Sequence, residues 1–427
     1  MSLTQPYPMS GRGAKLMRWS VIAAVMLAVA GIVIAPEAAA RDGSNASHWV
    51  ATWSASPQSA SSPAALNGVT TRQIARVSIG GQWVRVRLSN AYGSGSLVIG
   101  AARVALRSTG ASIIVGTDRV LTFNGSPTTT IPPGALAVSD PVKLKVPDLA
   151  DLAVSLYFSG NADAATEHTL GLQTTYVSAA GDFSGANDLP TAWTTQAFYF
   201  LTGVEVVTSS QARAVVTLGD SITDGLHSTA DANKRWPNRL AERLRAQKGT
   251  FNVAVLNAGI SGNRILHNMQ GTNALARLDR DVLVQTHARY LIVLLGINDI
   301  GFPGPVTADE IIAGHRQLIE RGHAMGLKVY GGTLTPFKAF LPGIYFTSDG
   351  EATRQTVNQW IRTSGAYDAV IDFDKAIRDP ADPEVIRAAY DSGDNLHPND
   401  AGYKAMADAV DLSLFKDVAR QRVAVKP

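Results

Sequence analysis

From His48 to about Val207 apolar and polar side chains alternate with a period of two, as in strands with one face in water. In Gln82–Leu88, Val84, Val86 and Leu88 alternate with Arg85 and Arg87, and in Pro141–Val146 the residues Val142, Leu144 and Val146 alternate with Lys143 and Lys145. Asp151–Phe158 places Leu152, Val154, Leu156 and Phe158 on one side. Turn residues at Gly80-Gly81, Gly93-Ser94-Gly95, Gly125 and Pro132-Pro133-Gly134 separate these runs at hairpin spacing. The pattern predicts an antiparallel β-sandwich, jelly-roll-like, over 48–207.

After a polar stretch at Thr208–Gln211 the pattern changes to short continuous apolar runs, at Ala214–Leu218, Val253–Leu256, Tyr290–Leu295, Leu327–Tyr330 and Ala369–Phe373. Continuous runs separated by helical periodicity are strands buried on both faces, so 212–420 is expected to be an α/β domain with a parallel sheet. Thr307 to Glu310 and Ser348 to Glu351 have the spacing of capping boxes, and Ile311, Ile312, His315, Leu318 and Ile319 follow the first with helical period.

The first forty residues stand apart. Arg12, Lys15 and Arg18 precede an uncharged apolar run from Trp19 to Ala35, followed by Ala38-Ala39-Ala40. This is the layout of an export signal with a small-residue cleavage site, with an uncleaved anchor as the alternative. The chain is therefore expected to be secreted or periplasmic, with no stable membrane anchor once the signal is removed. Three of the 38 basic and one of the 35 acidic side chains lie in this segment, so the remainder carries a formal charge of only +1. That balance does not suggest a nucleic-acid partner. The absence of cysteine excludes disulfides, thiol nucleophiles and thiolate metal sites.

Candidate chemistry collects at the carboxyl ends of the predicted parallel strands, where ligands sit in open α/β sheets. Ala214–Leu218 runs into Gly219-Asp220-Ser221-Ile222, which places the Ser221 hydroxyl at a helix N-terminus that favours negative charge. A serine nucleophile needs a base, and the base needs an orienting acid. Asp394-Asn395-Leu396-His397-Pro398 has a spacing that lets the carboxylate reach the imidazole, with a helix expected from Asn399 or Asp400. Asp224 and His227 share that spacing. If a helix continued from Ser221, however, His227 would lie about 9 Å along it and about 240° around, facing away. Asn257–Arg264 and Gly296-Ile297-Asn298-Asp299 follow the next two strands, with glycines for tight turns and Asn amides as neutral donors.

Gly219-Asp220-Ser221-Ile222, Gly262 with Asn263, Gly296-Ile297-Asn298-Asp299 and Asp394-Asn395-Leu396-His397-Pro398 stand in this order, each at a strand end, and resemble the blocks of the GDSL or SGNH hydrolases. The resemblance covers about residues 212–415. Ile222 stands where the family's naming motif has Leu. The resemblance implies a flavodoxin-like three-layer domain with a five-stranded parallel sheet. It implies Ser221 as nucleophile, His397 as base and Asp394 as orienting acid. It further implies an oxyanion hole from the backbone N–H of Ser221, the backbone N–H of Gly262 in preference to Gly259, and the Asn298 amide. Asp220, Asn263 and Asp299 are implied as supporting residues, with Arg264 at the cleft and no cofactor or metal.

The expected activity is hydrolysis of carboxylic esters. A secreted β-sandwich ahead of such a domain resembles esterases that remove acetyl groups from plant polysaccharides. Trp49, Trp53 and Trp83 are candidates either for stacking on sugars or for the core. Phe337–Phe346 is a candidate apolar cleft that would favour a lipase or lysophospholipase, and a non-catalytic carbohydrate-binding protein is the remaining alternative. No Gly-x-Ser-x-Gly, phosphate-loop or His-Glu-x-x-His motif is present, and the oligomeric state is left open.

Overall fold

The computed structural model describes residues 48–160, 162–302, 304 and 306–416. The expected export signal at 1–40 and positions 417–420 of the expected hydrolase span lie outside them.

Two larger antiparallel sheets form the sandwich of the first half, beside a three-stranded sheet of Phe198–Tyr199, Thr166–His168 and Gln58–Ser59 and a two-stranded one of Leu97–Ile99 and Thr129–Ile131. One larger sheet runs Trp49–Ser54, Leu201–Val207, Gly81–Ser89, Val142–Val146, with Leu136–Val138 also on Gly81–Ser89. The other larger sheet runs Thr191–Thr195, Thr175–Ala180, Val69–Arg76, Asp151–Tyr157, Ala101–Leu106, Arg119–Val120. Val84, Val86 and Leu88 of the first share one core with Val104, Leu152, Val154 and Leu156 of the second, as the alternation predicts. Asp151–Tyr157 departs from that prediction because its outer face is buried too. Ala153 packs there with Ile74, Ala105 and Ile113, and Ser155 accepts from the buried Arg72.

The second half is a five-stranded parallel sheet. In chain order its strands are Arg213–Gly219, Val253–Gly259, Ala288–Leu294, Lys328–Gly332 and Ala369–Ile371, and across the sheet they run second, first, third, fourth, fifth. This is the flavodoxin-like order, and it leaves a crevice beyond the carboxyl ends where the first strand lies between the second and third. Phe373 leaves the predicted fifth strand to begin a short helix, Phe373–Ile377. Helices Trp236–Ala246 and Asp400–Asp408 pack as one pair, and Ala308–Ala324 with Ser348–Thr363 as another.

Thr307 and Glu310 form the predicted capping box. The second predicted box is displaced by one residue, because Thr347 caps the helix and Ser348 is already helical. Glu351 there receives both Nε and Nη2 of the buried Arg354 instead of reaching back to the cap. A bidentate bond to a buried cation outweighs one capping bond.

The apolar core runs without a break from the sandwich into the parallel sheet, and the described residues fall in one compact unit. The edge strand Val253–Gly259 meets the sandwich directly. Ser78 Oγ accepts from Val255 N at 3.0 Å, and Ser54 Oγ donates to Asn257 O at 3.2 Å, so side chains of the first half cover an edge that would otherwise expose unpaired backbone.

Candidate active site

The first parallel strand, buried along its whole length, ends at Gly219 and turns at once into a single helical turn, Ser221–Asp224. A Cβ at Gly219 would lie 2.1 Å from Thr223 Oγ1 and 2.7 Å from Leu294 O, so only glycine permits this turn against the neighbouring strand. Asp220 caps the turn, its Oδ1 accepting from Ile222 N at 3.0 Å. Its Oδ2 is buried with no hydrogen bond to another described residue, and burial pushes the Asp220 carboxyl up to about 7.

Ser221 is 5% exposed and His397 6% exposed. Ser221 Oγ lies 2.8 Å from His397 Nε2, and His397 Nδ1 lies 2.6 Å from Asp394 Oδ2. With the carboxylate accepting at Nδ1–H, the Nε2 lone pair is turned to the serine hydroxyl. Asp394 Oδ1 accepts from the backbone N–H groups of Leu396 and His397, at 3.0 and 2.8 Å. Burial alone would raise the Asp394 carboxyl, but the His397 ring and these backbone donors outweigh it and hold it well below the usual carboxylate range.

The sequence-based placement of His227 is corrected. The helix from Ser221 ends after one turn at Gly225, and His227 itself has φ 68°. Its Nε2 therefore comes within 3.2 Å of Asp394 Oδ2, the oxygen that also faces His397. His227, Asp394 and His397 are the one group among the described residues with atoms close enough to surround a metal ion. Both ring nitrogens of His397 are already engaged by Ser221 and Asp394, which suits proton transfer rather than ligation.

The backbone N–H groups of Ser221 and Gly262 make no hydrogen bond to another described residue. Gly262 has φ +75° and is covered by Gln270, whose Cγ would lie 2.6 Å from an added Cβ. Asn298 follows the third strand; its Nδ2 donates to Asn263 O at 3.0 Å, and its Oδ1 accepts from the Tyr345 hydroxyl at 2.9 Å. That pair of contacts fixes which end of the amide is the donor and leaves its second N–H without a hydrogen bond to another described residue. Gly259 lies elsewhere, in the strand against the Thr223–Asp224 backbone.

Of the three supporting residues, Asp220 caps the turn at Ser221, and Asn263 and Asp299 brace loops. Asn263 Nδ2 donates to the carbonyls of Gln270 and Thr272, at 3.0 and 2.9 Å. Asp299 accepts from Ile265 N and Leu266 N, at 2.8 and 3.0 Å, while burial raises its carboxyl. Arg264 is buried beside it, Nε 3.8 Å from Asp299 Oδ1.

Sequence reasoning missed a buried network beneath the site. Arg277 Nη2 donates to Gly219 O at 3.0 Å, Nη1 to Ala258 O at 2.8 Å, and Nε to Asn263 Oδ1 at 3.0 Å, with Asp281 Oδ2 3.0 Å from Nη1. From the sandwich, His168 places Nε2 3.0 Å from Asp224 Oδ1 and Nδ1 2.9 Å from Ser56 O. Asp224 Oδ2 in turn accepts from Ser261 N at 2.9 Å, next to Gly262. A Thr-Glu-His strand and a lone Arg in a helix carry no local pattern that distinguishes them from surface residues.

Residues 217–405 match the GDSL-like Lipase/Acylhydrolase family. This stretch is a GDSL-type hydrolase domain. The chain is accordingly a hydrolase of the esterase and acylhydrolase type, carrying an antiparallel strand-rich region ahead of the GDSL domain. Among solved structures it is similar to a putative lipolytic protein of the G-D-S-L family from Desulfitobacterium hafniense, with 19% identity, covering 46% of this chain and 96% of that one, at a TM-score of 0.36. A lipase/acylhydrolase from Enterococcus faecalis is 23% identical over 46% of this chain and 92% of its own, at 0.37. A carbohydrate acetylesterase from Sinorhizobium meliloti is 17% identical over 46% and 95%, also at 0.37. No curated protein matches the chain significantly.

Proposed function

We propose that the protein is an exported serine esterase that cleaves carboxylic esters through Ser221, His397 and Asp394, with acetyl esters of carbohydrates as its substrates. The observation that carries this reading is the continuous line from Ser221 Oγ to His397 to Asp394. Export follows from the charged and apolar segment at 1–40.

The chemistry follows from the geometry. His397 Nε2 takes the hydroxyl proton as Ser221 Oγ bonds to the acyl carbon, and the carbonyl oxygen becomes an oxyanion held by the N–H groups of Ser221, Gly262 and Asn298. Collapse breaks the bond to the alcohol, which leaves with the proton from His397. Water then enters in the same way, its proton going to His397 and back to Ser221 as the acid departs. Asp394 stays ionised, keeping Nδ1–H in place and stabilising the imidazolium.

A second reading has one observation in its favour. Phe340 stands edge-on to His397, 6.0 Å between ring centroids, and on the same loop Ile344 is 73% exposed. An apolar loop there would suit a long acyl chain. Hydrolysis of 4-nitrophenyl acetate and its longer acyl homologues by the wild type and by Ser221→Ala separates the readings. The proposal expects a preference for acetate and loss of turnover by at least about 10³-fold in the variant. Preference for long chains would transfer the assignment to a lipase, and undiminished Ser221→Ala activity would refute both.

A further inference from the structure

Between the sandwich and the GDSL domain lies an open pocket of about 430 Å³. The sandwich contributes Gln58, Ser59, Tyr92 and Thr169, and the hydrolase contributes the loop containing Asn268 and Gln270. The pocket reaches Gly262, one of the proposed oxyanion donors, through Gln270. Gln270 covers Gly262, and the loop carbonyls are held by Asn263, whose own carbonyl accepts from Asn298.

We infer that this pocket holds the alcohol portion of the substrate, and that its ligand is a neutral saccharide. This deepens the esterase reading and rests on it. No lining side chain carries a charge, which disfavours phosphate, sulfate or a zwitterionic headgroup. The lining is dominated by hydroxyl and carboxamide groups rather than by the aliphatic side chains that an acyl chain requires.

Part of that polar lining is preorganised. Gln58 is 6% exposed; its Oε1 accepts from Thr169 N at 3.3 Å, and its NH2 group has no hydrogen bond to another described residue. Asn268 is oriented in the same way, its Oδ1 accepting from both Asn273 N and Nδ2 at 2.8 Å. The Tyr92 hydroxyl is fixed between Thr272 Oγ1 at 2.7 Å and Arg280 Nη1 at 2.9 Å, with the guanidinium 5.4 Å over the ring. Donors held by one end beside an immobilised aromatic ring are the arrangement that hydroxyl-rich, partly apolar sugar faces require. The sandwich then acts as half of the substrate site.

The test uses the full chain and two substrates, partly acetylated xylo-oligosaccharide and 4-nitrophenyl acetate, together with binding of plain xylotetraose to Ser221→Ala by calorimetry. Ser59→Trp puts an indole at the pocket rim; Ser126→Trp, on an exposed hairpin away from the pocket, is the control. The inference expects the ratio of kcat/KM on the oligosaccharide to that on 4-nitrophenyl acetate to fall about tenfold or more in Ser59→Trp and to stay at the wild-type value in Ser126→Trp. It also expects xylotetraose affinity to weaken by a similar factor when Ser59→Trp is added to Ser221→Ala. An unchanged ratio with unchanged affinity, or no xylotetraose binding to Ser221→Ala, overturns it. Failure of the esterase reading is separate, since it would appear as 4-nitrophenyl acetate turnover that does not depend on Ser221.

Discussion

The Tyr345 hydroxyl orients Asn298, and that dependence can be measured with a variant that keeps the ring packed against Phe340. The hydroxyl is buried, 2.9 Å from Asn298 Oδ1, and Asn298 is itself 4% exposed. Tyr345→Phe removes the donor and leaves a buried acceptor unpaired, a loss of about 1–3 kcal/mol. The amide can recover part of this by rotating away from the donor position that the oxyanion needs. If about 1.4 kcal/mol of the loss falls on the transition state, kcat drops about tenfold. Asn298→Ala, which removes the donor altogether, should cost about 10²-fold or more. Because Tyr345 acts through Asn298, the double variant should be no slower than Asn298→Ala alone, rather than slower by the product of the two factors.

Steady-state kinetics on 4-nitrophenyl acetate measures this, with thermal melting to confirm folding. KM should move little, since the lost contact is made to the oxyanion rather than to the ground-state ester. A double variant slowed by the product of the single effects would show that Tyr345 acts elsewhere. A folded Tyr345→Phe with full kcat would show that the amide needs no orientation.

Two further outcomes follow from buried ionisable groups. Asp220 has its carboxyl raised to about 7 from 3.8 by burial, so it adds to stability in acid and that contribution is lost between about pH 4 and 7, roughly 4 kcal/mol in all. Denaturant melts of Asp220→Asn, which keeps the cap, should show a shallower fall in stability across that window, and an unchanged slope would mean that Asp220 ionises normally. Burial lowers the His168 pKa, but ion pairing with Asp224 outweighs it and leaves the imidazole raised above 6.5, so its contribution is full below that pH and lost as pH rises through the folded value. His168→Gln should therefore cost most at pH 5–6 and least at pH 9 in the same melts, and a penalty independent of pH would remove the charge from the argument.

The fold was legible wherever periodicity was set by a single environment. Val84, Val86 and Leu88 alternate because one face of their strand meets the apolar core while the other carries Arg85 and Arg87 against the buried Glu205, and the inner parallel strands read as unbroken apolar runs because both faces are covered, whereas the edge strand Ala369–Ile371 leaves Val370 exposed. Asp151–Tyr157 was half legible because small residues, Ala153 and Ser155, fill its second face without an apolar alternation. Ser221, Asn298 and the Asp394–His397 pair were visible as short motifs at strand ends. His227 does not lie where helical spacing from Ser221 puts it, because the helix there is a single turn ended by Gly225 at φ 103°.

The part that no motif announced is what binds the catalytic loops to the sandwich. A buried carbonyl has two lone pairs and can take a second donor where strands diverge into loops. Arg277 donates to two strand-end carbonyls, Gly219 O, which also accepts from Ile260 N, and Ala258 O, while its Nε holds Asn263. A guanidinium can do this because its five donors lie in one plane, but its burial requires a counter-charge, which Asp281 provides. His168 and Ser56 complete the set from a distant stretch of sequence, His168 through Asp224 and Ser56 through Arg277. Each of these residues is ordinary in its local sequence, and only the three-dimensional convergence makes it part of the site. The same contacts give the sandwich a second role besides lining the pocket: its His168 fixes the Asp224 carboxylate that orders Ser261, the residue immediately before Gly262.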